Sequence, residues 1–229
     1  AQRIARRRDS GVHVVCVVSA MGDTTDRLLS LAREISTRPP SRELDVLLSA
    51  GEVQSMALLS MALNELGIAA RSYTGQQGGI RTDAQHSEAK ILSIDPDRVL
   101  EALNRDEVVV LAGFQGHDDR DEITTLGRGG SDTSAVAMAA ALEAERCEIL
   151  TDVSGVFTAD PRIVEGARQI SALGYDEMLE MANLGARVLH GRSVELARRF
   201  EVPLIVASAT ADTAGTRISR KDDSMEKVE

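Results

Sequence analysis

A turn rich in glycine joins a β-like stretch to a helix-like stretch within residues 124–142, TTLGRGGSDTSAVAMAAAL. Glycines let backbone amides approach a ligand closely because they lack a Cβ atom, and the free N–H groups at a helix start attract anions. The guanidinium of Arg128 adds donors that match a carboxylate or a phosphate, and Ser131 has the chemistry of a helix N-cap. The turn is therefore predicted to bind a small anion. The alternative is a glycine turn that only lets the helix pack close to the sheet.

A second polar stretch, TDVSGVFTADPR at residues 151–162, follows the apolar run CEIL. If CEIL is a strand, these residues emerge at its carboxyl end, where α/β proteins place ligands. Thr151 and Asp152 then suit a ribose or a metal-bound phosphate, Phe157 offers an apolar face, and Arg162 reaches phosphate oxygens. The pairs SG and DP are also ordinary turn sequences, so a purely structural loop is the alternative.

Two further features suit a polar substrate. Ser19 follows an apolar strand-like run in VVSAMGDTTDRLL, and the hydroxyls of Thr24 and Thr25 at the next helix start either cap that helix or bind substrate. Glu52 lies in the mainly apolar helical run LLSAGEVQSMALL, where a charge is costly unless it is paired or exposed. Glu52 is thus a candidate to hold a cationic group such as an ammonium, and an exposed helix glutamate is the alternative.

Short β-branched runs alternate with longer runs of helical periodicity, a pattern typical of an α/β fold with a mostly parallel sheet. Strands are predicted at VHVVCVVS, IAARSY, EVVVLAGF, EITTL, CEILTD and PLIVAS. Helices are predicted at residues 24–36, 42–67, 95–104, 131–144, 175–185 and 193–200. Asp95 is expected to be an N-cap, and Gly67 is expected to be the glycine that ends a helix.

Composition argues against several classes of protein. With 36 acidic and 26 basic residues, the formal net charge is −10, which disfavours a general nucleic-acid or membrane surface. Cys16 and Cys147 lie in apolar runs, so we expect free thiols in a reducing cytoplasm and no disulfide or metal framework. No stretch is expected to reach the roughly 18 apolar residues that span a bilayer. A length of 229 residues with 43% hydrophobic content suffices for one sizeable core or two small ones.

Six motifs together resemble one family. VVSAMGDTTDRLL, LLSAGE, GFQG, TTLGRGGSDTSA, TDVSGVFTADPR and GARVLH, in this order and spacing, are similar to the catalytic domain of the aspartate kinases, within the amino acid kinase superfamily. The resemblance covers residues 1–220 and implies an α/β fold, a three-layer α/β/α sandwich around a mainly parallel sheet of about eight strands. It also implies phosphorylation of the β-carboxylate of L-aspartate with ATP and Mg²⁺, which gives 4-phospho-L-aspartate, the first step toward lysine, threonine and methionine.

The resemblance also implies roles for single residues. The catalytic turn, which binds the aspartate carboxylate and faces the transferred phosphoryl group, comprises Arg128, Gly129, Gly130, Ser131 and Asp132. Ser19 and Thr25 correspond to hydroxyls of the substrate loop, and Glu52 to the glutamate that grips the substrate ammonium. The nucleotide is expected to lie against Thr151, Asp152, Phe157, Thr158, Ala159, Asp160, Pro161, Arg162 and Arg187. No residue is assigned as a protein ligand of a metal ion.

The chain departs from the family pattern at three places. The family opens with a strand and KFGGTS or KYGGSS, whereas this chain opens with AQRIARRR, which looks like the helix after it, so we expect the first strand to be missing. Phe157 replaces the usual tyrosine, and Arg187 replaces the usual lysine. Residues 221–229 are expected to be a linker or tail toward a regulatory ACT region, which follows the catalytic domain in this family.

Three hypotheses about function remain open from the sequence. The first is an aspartate kinase catalytic domain. The second is another kinase of the superfamily, for glutamate, acetylglutamate or a nucleoside monophosphate. The third, because the KFGG-type element is absent, is a noncatalytic module that binds a ligand or serves assembly. Homo-oligomerisation and association with an ACT region are left open as partner interactions.

Overall fold

The structure, a computed structural model, describes residues 1–185, 188–211 and 213–220. Two compact units divide the chain, Ala1–Ala141 and Leu142–Glu229. The predicted nucleotide contact at Arg187 and the predicted tail at 221–229 lie outside the described residues.

Helices and strands alternate along most of the described chain. The helices are α1 (Gln2–Asp9), α2 (Thr24–Ile35), α3 (Ser41–Glu65), α4 (Asp97–Asn104), α5 (Gly130–Ala141), α6 (Tyr175–Asn183) and α7 (Gly191–Arg199). The strands are β1 (Val15–Val18), β2 (Ala70–Tyr73), β3 (Ile80–Thr82), β4 (Ile91–Ile94), β5 (Val108–Ala112), β6 (Gln115–His117), β7 (Ile123–Thr125), β8 (Cys147–Thr151), β9 (Ala172–Gly174), β10 (Leu204–Ser208) and β11 (Thr216–Ser219).

The first unit is organised around a parallel sheet in the order β1, β5, β2. All five residues of β5 are buried, as expected for a central parallel strand that is covered on both faces. The long helix α3 packs on this sheet through Met56 and Leu63, which join a core cluster with Val108, Val110 and Ala112.

In β1, burial raises the pKa of the Cys16 thiol to about 11, so this thiol stays protonated at neutral pH.

A second sheet in the same unit has the order β4, β3, β6, β7. Its strands pair mainly as antiparallel hairpins, with β3 next to β4 and β6 next to β7, while β3 and β6 run parallel. The strand β7 leads directly into the glycine-rich turn before α5. This sheet therefore positions the entrance to the predicted anion site.

The second unit contains a four-stranded sheet in the order β8, β10, β11, β9. The pair β8 and β10 is parallel over five residues, and β11 runs antiparallel to β10. Thr216, which is fully buried in β11, donates its hydroxyl to the carbonyl of Ile170 at 2.6 Å and accepts the N–H of Val156 at 2.8 Å. One hydroxyl thus ties the loop after β8 to the sheet.

The predicted secondary structure is largely confirmed. All six predicted strands are present, and the six predicted helices begin and end within three residues of their predicted limits. The sequence interpretation missed β3, β4, β6, β9 and β11, each three or four residues long. At that length the periodic signal is weak, although the equally short β1, β2 and β7 were recognised within the longer runs VHVVCVVS, IAARSY and EITTL. Within the described residues, the strands form three hydrogen-bonded sets rather than one continuous sheet.

Two of the predicted helix caps shift, and one is confirmed. Gly67 has φ +76° directly after the C-cap of α3, as predicted. Asp95 lies one residue before the observed N-cap, Pro96, although its Oδ1 accepts the N–H of Asp97 at 3.2 Å. The prediction that Ser131 is an N-cap is wrong, because α5 already begins at Gly130 and Ser131 lies inside the helix.

The expectation that no stretch suits a bilayer is also wrong. By length and composition, α3 could cross a membrane, since an 18-residue window within it has a mean hydropathy of 1.5. However, the residues that α3 buries include Asp45, Ser49, Glu52, Ser55 and Ser60. A helix that buries polar side chains against other parts of the protein is typical of a protein core. Such core helices can also be long and apolar enough to match a membrane span.

A substitution at Gly67 tests the helix end. An alanine there would meet no atom within 4 Å, yet it must adopt φ +76°, so Gly67→Ala is expected to lower the free energy of unfolding by about 1 kcal/mol. Gly166→Ala serves as control, because Gly166 also lies in open space but has no positive φ. Urea unfolding followed by circular dichroism measures both. Equal effects of the two substitutions would contradict the assigned conformation.

Candidate functional site

The predicted anion site is a turn whose shape depends on two left-handed glycines. After β7 ends at Thr125, Gly127 has φ 71° and Gly129 has φ 72°. The N–H of Gly130 donates to the carbonyl of Gly127 at 3.0 Å, and the N–H of Thr133 donates to the carbonyl of Gly129 at 3.1 Å. These bonds start α5 one residue earlier than the sequence suggests. The first amides of α5 accordingly lie beside the turn, where a helix attracts negative charge.

The turn is packed against the end of β5 without room for further side-chain atoms. A Cβ on Gly113 would lie 3.0 Å from Cα of Ser131, and a Cβ on Gly130 would lie 2.8 Å from the ring of Phe114. Phe114 itself has φ 65°, which is unusual for a bulky residue, and its N–H donates to Oγ of Ser134 at 3.1 Å. The start of α5 is thus fixed to a locally strained backbone segment.

Several groups predicted to contact substrate are not engaged by the protein. Arg128 is exposed, and across residues 1–185, 188–211 and 213–220 its guanidinium has no hydrogen-bond or ion-pair partner. Over the same ranges, the hydroxyls of Ser19, Thr25 and Ser131 also form no side-chain hydrogen bond. Thr25 is the second residue of α2, so its hydroxyl does not cap that helix. These donors remain free for a ligand.

Glu52 provides the complementary charge. Its side chain is buried, with 4% of the residue exposed, and Oε1 accepts the N–H of Ala20 at 3.0 Å. Oε2 is buried and has no hydrogen-bond partner in the described part of the chain. Burial raises the pKa of this carboxyl above its usual value, although the bond from Ala20 opposes the shift. The alternative of an exposed helix glutamate is therefore wrong, and a buried carboxylate oxygen is left to accept a donor.

The approach of the Ser19 loop to α3 depends on a glycine. A Cβ on Gly51 would lie 2.8 Å from Cβ of Ala20, so only glycine permits this contact. The strand β1 runs parallel to β5, with Val18 opposite Ala112, and the N–H of Gly113 donates to the carbonyl of Val18 at 3.0 Å. The Ser19 loop, Glu52 and the start of α5 therefore meet at the carboxyl ends of these two strands.

Taken together, these groups make the first unit suitable for a small zwitterion. A buried carboxylate with one unoccupied oxygen suits an ammonium, while an exposed guanidinium and helix N–H groups suit a carboxylate or phosphate. A charge of each sign at a sheet end, together with free hydroxyls, is the chemistry of an amino-acid site.

The predicted nucleotide residues that the structure describes, at positions 151–162, lie in the second unit, at and after the end of β8. The hydroxyl of Thr151 donates to Oδ1 of Asp152 at 3.0 Å, and Asp152 is exposed. Phe157 is half-buried and pairs with Gln169, and the N–H of Thr158 donates to the carbonyl of Arg168 at 2.9 Å. The loop is therefore an ordered hairpin that presents polar groups beside an aromatic ring.

Two charged residues of this loop hold each other. Arg162 donates from Nε to Oδ1 of Asp160 at 3.1 Å and from its terminal nitrogen to Oδ2 at 3.0 Å. This fork lowers the pKa of Asp160 below its usual range. The side chain of Arg162 is 77% exposed, so it remains accessible to an anion even though it is paired. The half-buried Ala159 and the exposed Pro161 complete the turn.

The sequence interpretation missed a fully buried carboxylate, Asp45, which contacts the strand before the glycine turn. It also missed Gly113 and Phe114 as the surface on which the turn rests. A signal for Asp45 existed, because it precedes Glu52 by seven residues and so lies on the same face of α3. The sequence did not indicate which partners that face meets.

Comparisons with known proteins support the family resemblance of the sequence. The sequence profile of the amino acid kinase family matches residues 1–208. Aspartokinase 2 of Bacillus subtilis (strain 168) is 55% identical over 227 residues, which is 99% of this chain and 55% of the relative. The chain thus spans about half the length of the curated relatives it matches.

Solved structures show the same fold. The aspartate kinase from Synechocystis superposes with a TM-score of 0.84 at 50% identity, covering 96% of this chain and 36% of that one. Escherichia coli aspartokinase III in complex with aspartate and ADP superposes with a TM-score of 0.74 at 33% identity, covering 86% of this chain and 45% of that one. These neighbours confirm the expected α/β fold class and the resemblance found in the motifs.

The raised pKa of Glu52 predicts a pH-dependent loss of stability. A carboxyl whose pKa is higher in the folded state stabilises the fold fully below its unfolded pKa, and this contribution is lost as pH rises through the folded pKa. Relative to wild type, Glu52→Gln should therefore gain unfolding free energy between about pH 4 and pH 7. Urea unfolding across this pH range measures the difference in unfolding free energy. Glu65→Gln serves as control, because it removes an exposed charge from the same helix. Parallel curves for Glu52→Gln and wild type would contradict the burial.

Proposed function

Because the chain belongs to the amino acid kinase family, we propose that it is the catalytic part of an aspartate kinase. Its reaction transfers a phosphoryl group from ATP to the β-carboxylate of L-aspartate and forms 4-phospho-L-aspartate. Identity above 50% to aspartokinases over nearly the whole chain supports this choice over other kinases of the superfamily.

The observation that carries the proposal is that the first unit offers a ligand two groups of opposite charge, the buried carboxylate of Glu52 and the exposed guanidinium of Arg128. The free Oε2 of Glu52 accepts the substrate ammonium, which supplies the partner that this buried oxygen lacks. Arg128 and the amides at the start of α5 bind carboxylate oxygens. The hydroxyls of Ser19, Thr25 and Ser131 donate further bonds, so that the bound amino acid is oriented by groups of both charges.

The reaction requires positioning of the reactants and neutralisation of their charge rather than a general base. The attacking β-carboxylate is already an anion, so no proton has to be removed. The difficulty lies in bringing this anion close to a phosphate, and the Arg128 guanidinium and the amides of α5 offset the repulsion where negative charge gathers. Asp132, in the first turn of α5, organises the charge of the turn rather than contacting the phosphate.

ATP is assigned to the residues at the end of β8. Thr151 and Asp152 suit the ribose or the phosphates, Phe157 suits the adenine face, and Arg162 suits phosphate oxygens. Mg²⁺ prefers phosphate oxygens together with one or two carboxylates, and the exposed carboxylate of Asp152 fits that role. When bound, Mg²⁺ neutralises charge on the transferring phosphoryl group. The cytoplasmic location, the homo-oligomer and the ACT region stay predictions.

Trapping of the acyl phosphate tests the proposal. The full-length gene product that contains this chain should form aspartyl hydroxamate from L-aspartate, ATP and Mg²⁺ in the presence of hydroxylamine. Glutamate and N-acetylglutamate, acceptors of alternative kinases, should give less hydroxamate than L-aspartate. UMP, whose phosphorylation forms an anhydride that hydroxylamine does not trap, should give less ADP than L-aspartate. Arg128→Gln should lower kcat/KM for aspartate on the order of 10²-fold to 10³-fold, because it removes donors from a preorganised anion site.

The matched control is Arg120→Gln. Arg120 is an exposed arginine on the hairpin between β6 and β7, away from the glycine turn, and its loss should leave kcat/KM within about twofold. Binding of aspartate and an ATP analogue without turnover by wild type would instead favour the noncatalytic module. Equal activity of Arg128→Gln and wild type would remove the turn from the mechanism.

A further inference from the structure

A fully buried carboxylate lies behind the glycine turn. Asp45, in the first part of α3, is 0% exposed, and its two oxygens accept hydrogen bonds from two other segments of the first unit. From the end of β7, Thr125 donates its hydroxyl to Oδ1 at 2.6 Å and its N–H to Oδ2 at 3.1 Å. From the turn before β4, the N–H of Ser87 donates to both oxygens, at 3.1 and 3.0 Å. Nδ1 of His86 lies 2.8 Å from Oδ2.

Thr125 is consequently fixed by every polar group it carries. Its hydroxyl and its N–H bond to Asp45, and its carbonyl accepts the N–H of Ala89 at 2.9 Å. Thr125 is only three residues before Arg128, and the N–H of the intervening Leu126 donates to the carbonyl of Phe114 at 2.8 Å. The chain therefore enters the turn from a rigid point.

The second segment bound by Asp45 touches the turn itself. Ser87 has φ 70°, a conformation that costs energy for a residue other than glycine. Its carbonyl oxygen packs against the turn so closely that a Cβ on Gly127 would lie 2.8 Å from it. By binding the N–H of Ser87, Asp45 holds this strained residue in place against Gly127.

We propose that Asp45 is a positioning residue that sets the location of Arg128 and the start of α5 relative to the bound amino acid. It does so by holding Thr125 on one side of the turn and Ser87 on the other. This proposal rests on the proposed function for its activity test. Asp45 and Glu52 are seven residues apart on one face of α3, so a single helix locates both the anion-binding turn and the ammonium-binding carboxylate.

A carboxylate suits this position better than an amide. Only ionised aspartate offers two oxygens that accept hydrogen bonds and no competing donor, whereas asparagine places an NH₂ group against some of the N–H and hydroxyl donors. Asp45→Asn keeps the shape of the side chain and breaks part of the network. The expected consequence is a displaced turn in a folded protein.

Steady-state kinetics of the full-length protein test the proposal. Asp45→Asn should raise KM for aspartate and lower kcat, with a combined loss in kcat/KM on the order of 10-fold to 10²-fold, because small displacements in a positioned site have effects of this size. The affinity for an ATP analogue should stay unchanged. Thr125→Val, which replaces the hydroxyl by a methyl group, should show a smaller loss in kcat/KM for aspartate. Thr125→Ser, which keeps the hydroxyl, should have a kcat/KM close to that of wild type.

Thr124→Val is the matched control. Thr124 is the neighbour of Thr125 in β7 and equally buried, but its hydroxyl pairs with that of Thr82 at 2.6 Å rather than with Asp45. It should lower thermal stability about as much as Thr125→Val while leaving KM for aspartate unchanged. If Thr125→Val and Thr124→Val both reduce only the active fraction, with no change in KM, the role is merely structural and the proposal is overturned.

Limited proteolysis separates this proposal from the proposed function. Trypsin cleaves after exposed arginines, and Arg128 lies in the turn that Asp45 is proposed to hold. Asp45→Asn and Thr125→Val should accelerate cleavage after Arg128, as measured by mass spectrometry, whereas Thr124→Val should not. If wild type makes no aspartyl hydroxamate, the proposed function fails while this measurement still stands. Equal cleavage rates in wild type and all variants would overturn the positioning role.

Discussion

The constraint on which the first unit depends is the burial of polar side chains along one face of α3. Asp45 accepts bonds from Thr125 and Ser87, and Glu52 accepts the N–H of Ala20. Between them, the backbone carbonyl of Ser49 accepts Nε2 of the buried Gln115 at 3.1 Å. Each bond ends on a loop or strand end that borders the site. Because buried polar groups are costly when unpaired, displacing one of these loops would leave a buried polar group on the helix or its partner without a hydrogen bond.

The burial of apolar side chains explains what the sequence could predict. Alternating apolar runs predicted every longer strand and helix, since packing against a core enforces the periodicity. They did not predict five of the short strands, among them β3 and β6, whose position is set by pairing with neighbours rather than by composition. The anion-binding turn was found because glycine, arginine and serine types stand next to one another in the chain.

Residues whose partners are distant in sequence were harder to interpret. The sequence left Glu52 open between an exposed and a paired side chain, because periodicity does not decide the surroundings of one charge in an apolar helix. Asp45 was missed since its partners lie about 40 and 80 residues away. Ser131 was misplaced as a cap because its identity fits the role, whereas the left-handed Gly127 and Gly129 determine where the helix starts.

The contact between the end of β5 and the start of α5 limits how this region can change in evolution. A Cβ on Gly113 would lie 3.0 Å from Cα of Ser131, and a Cβ on Gly130 would lie 3.2 Å from Cα of Phe114, so a methyl group at either position presses on the facing main chain as well as on the side chains of Val17 and Phe114. A smaller residue at position 17 or 114 would relieve only the side-chain part of the clash. Drift among the surrounding core residues can proceed by compensating changes of volume, but at these two positions part of the obstruction is backbone, which no substitution can shrink.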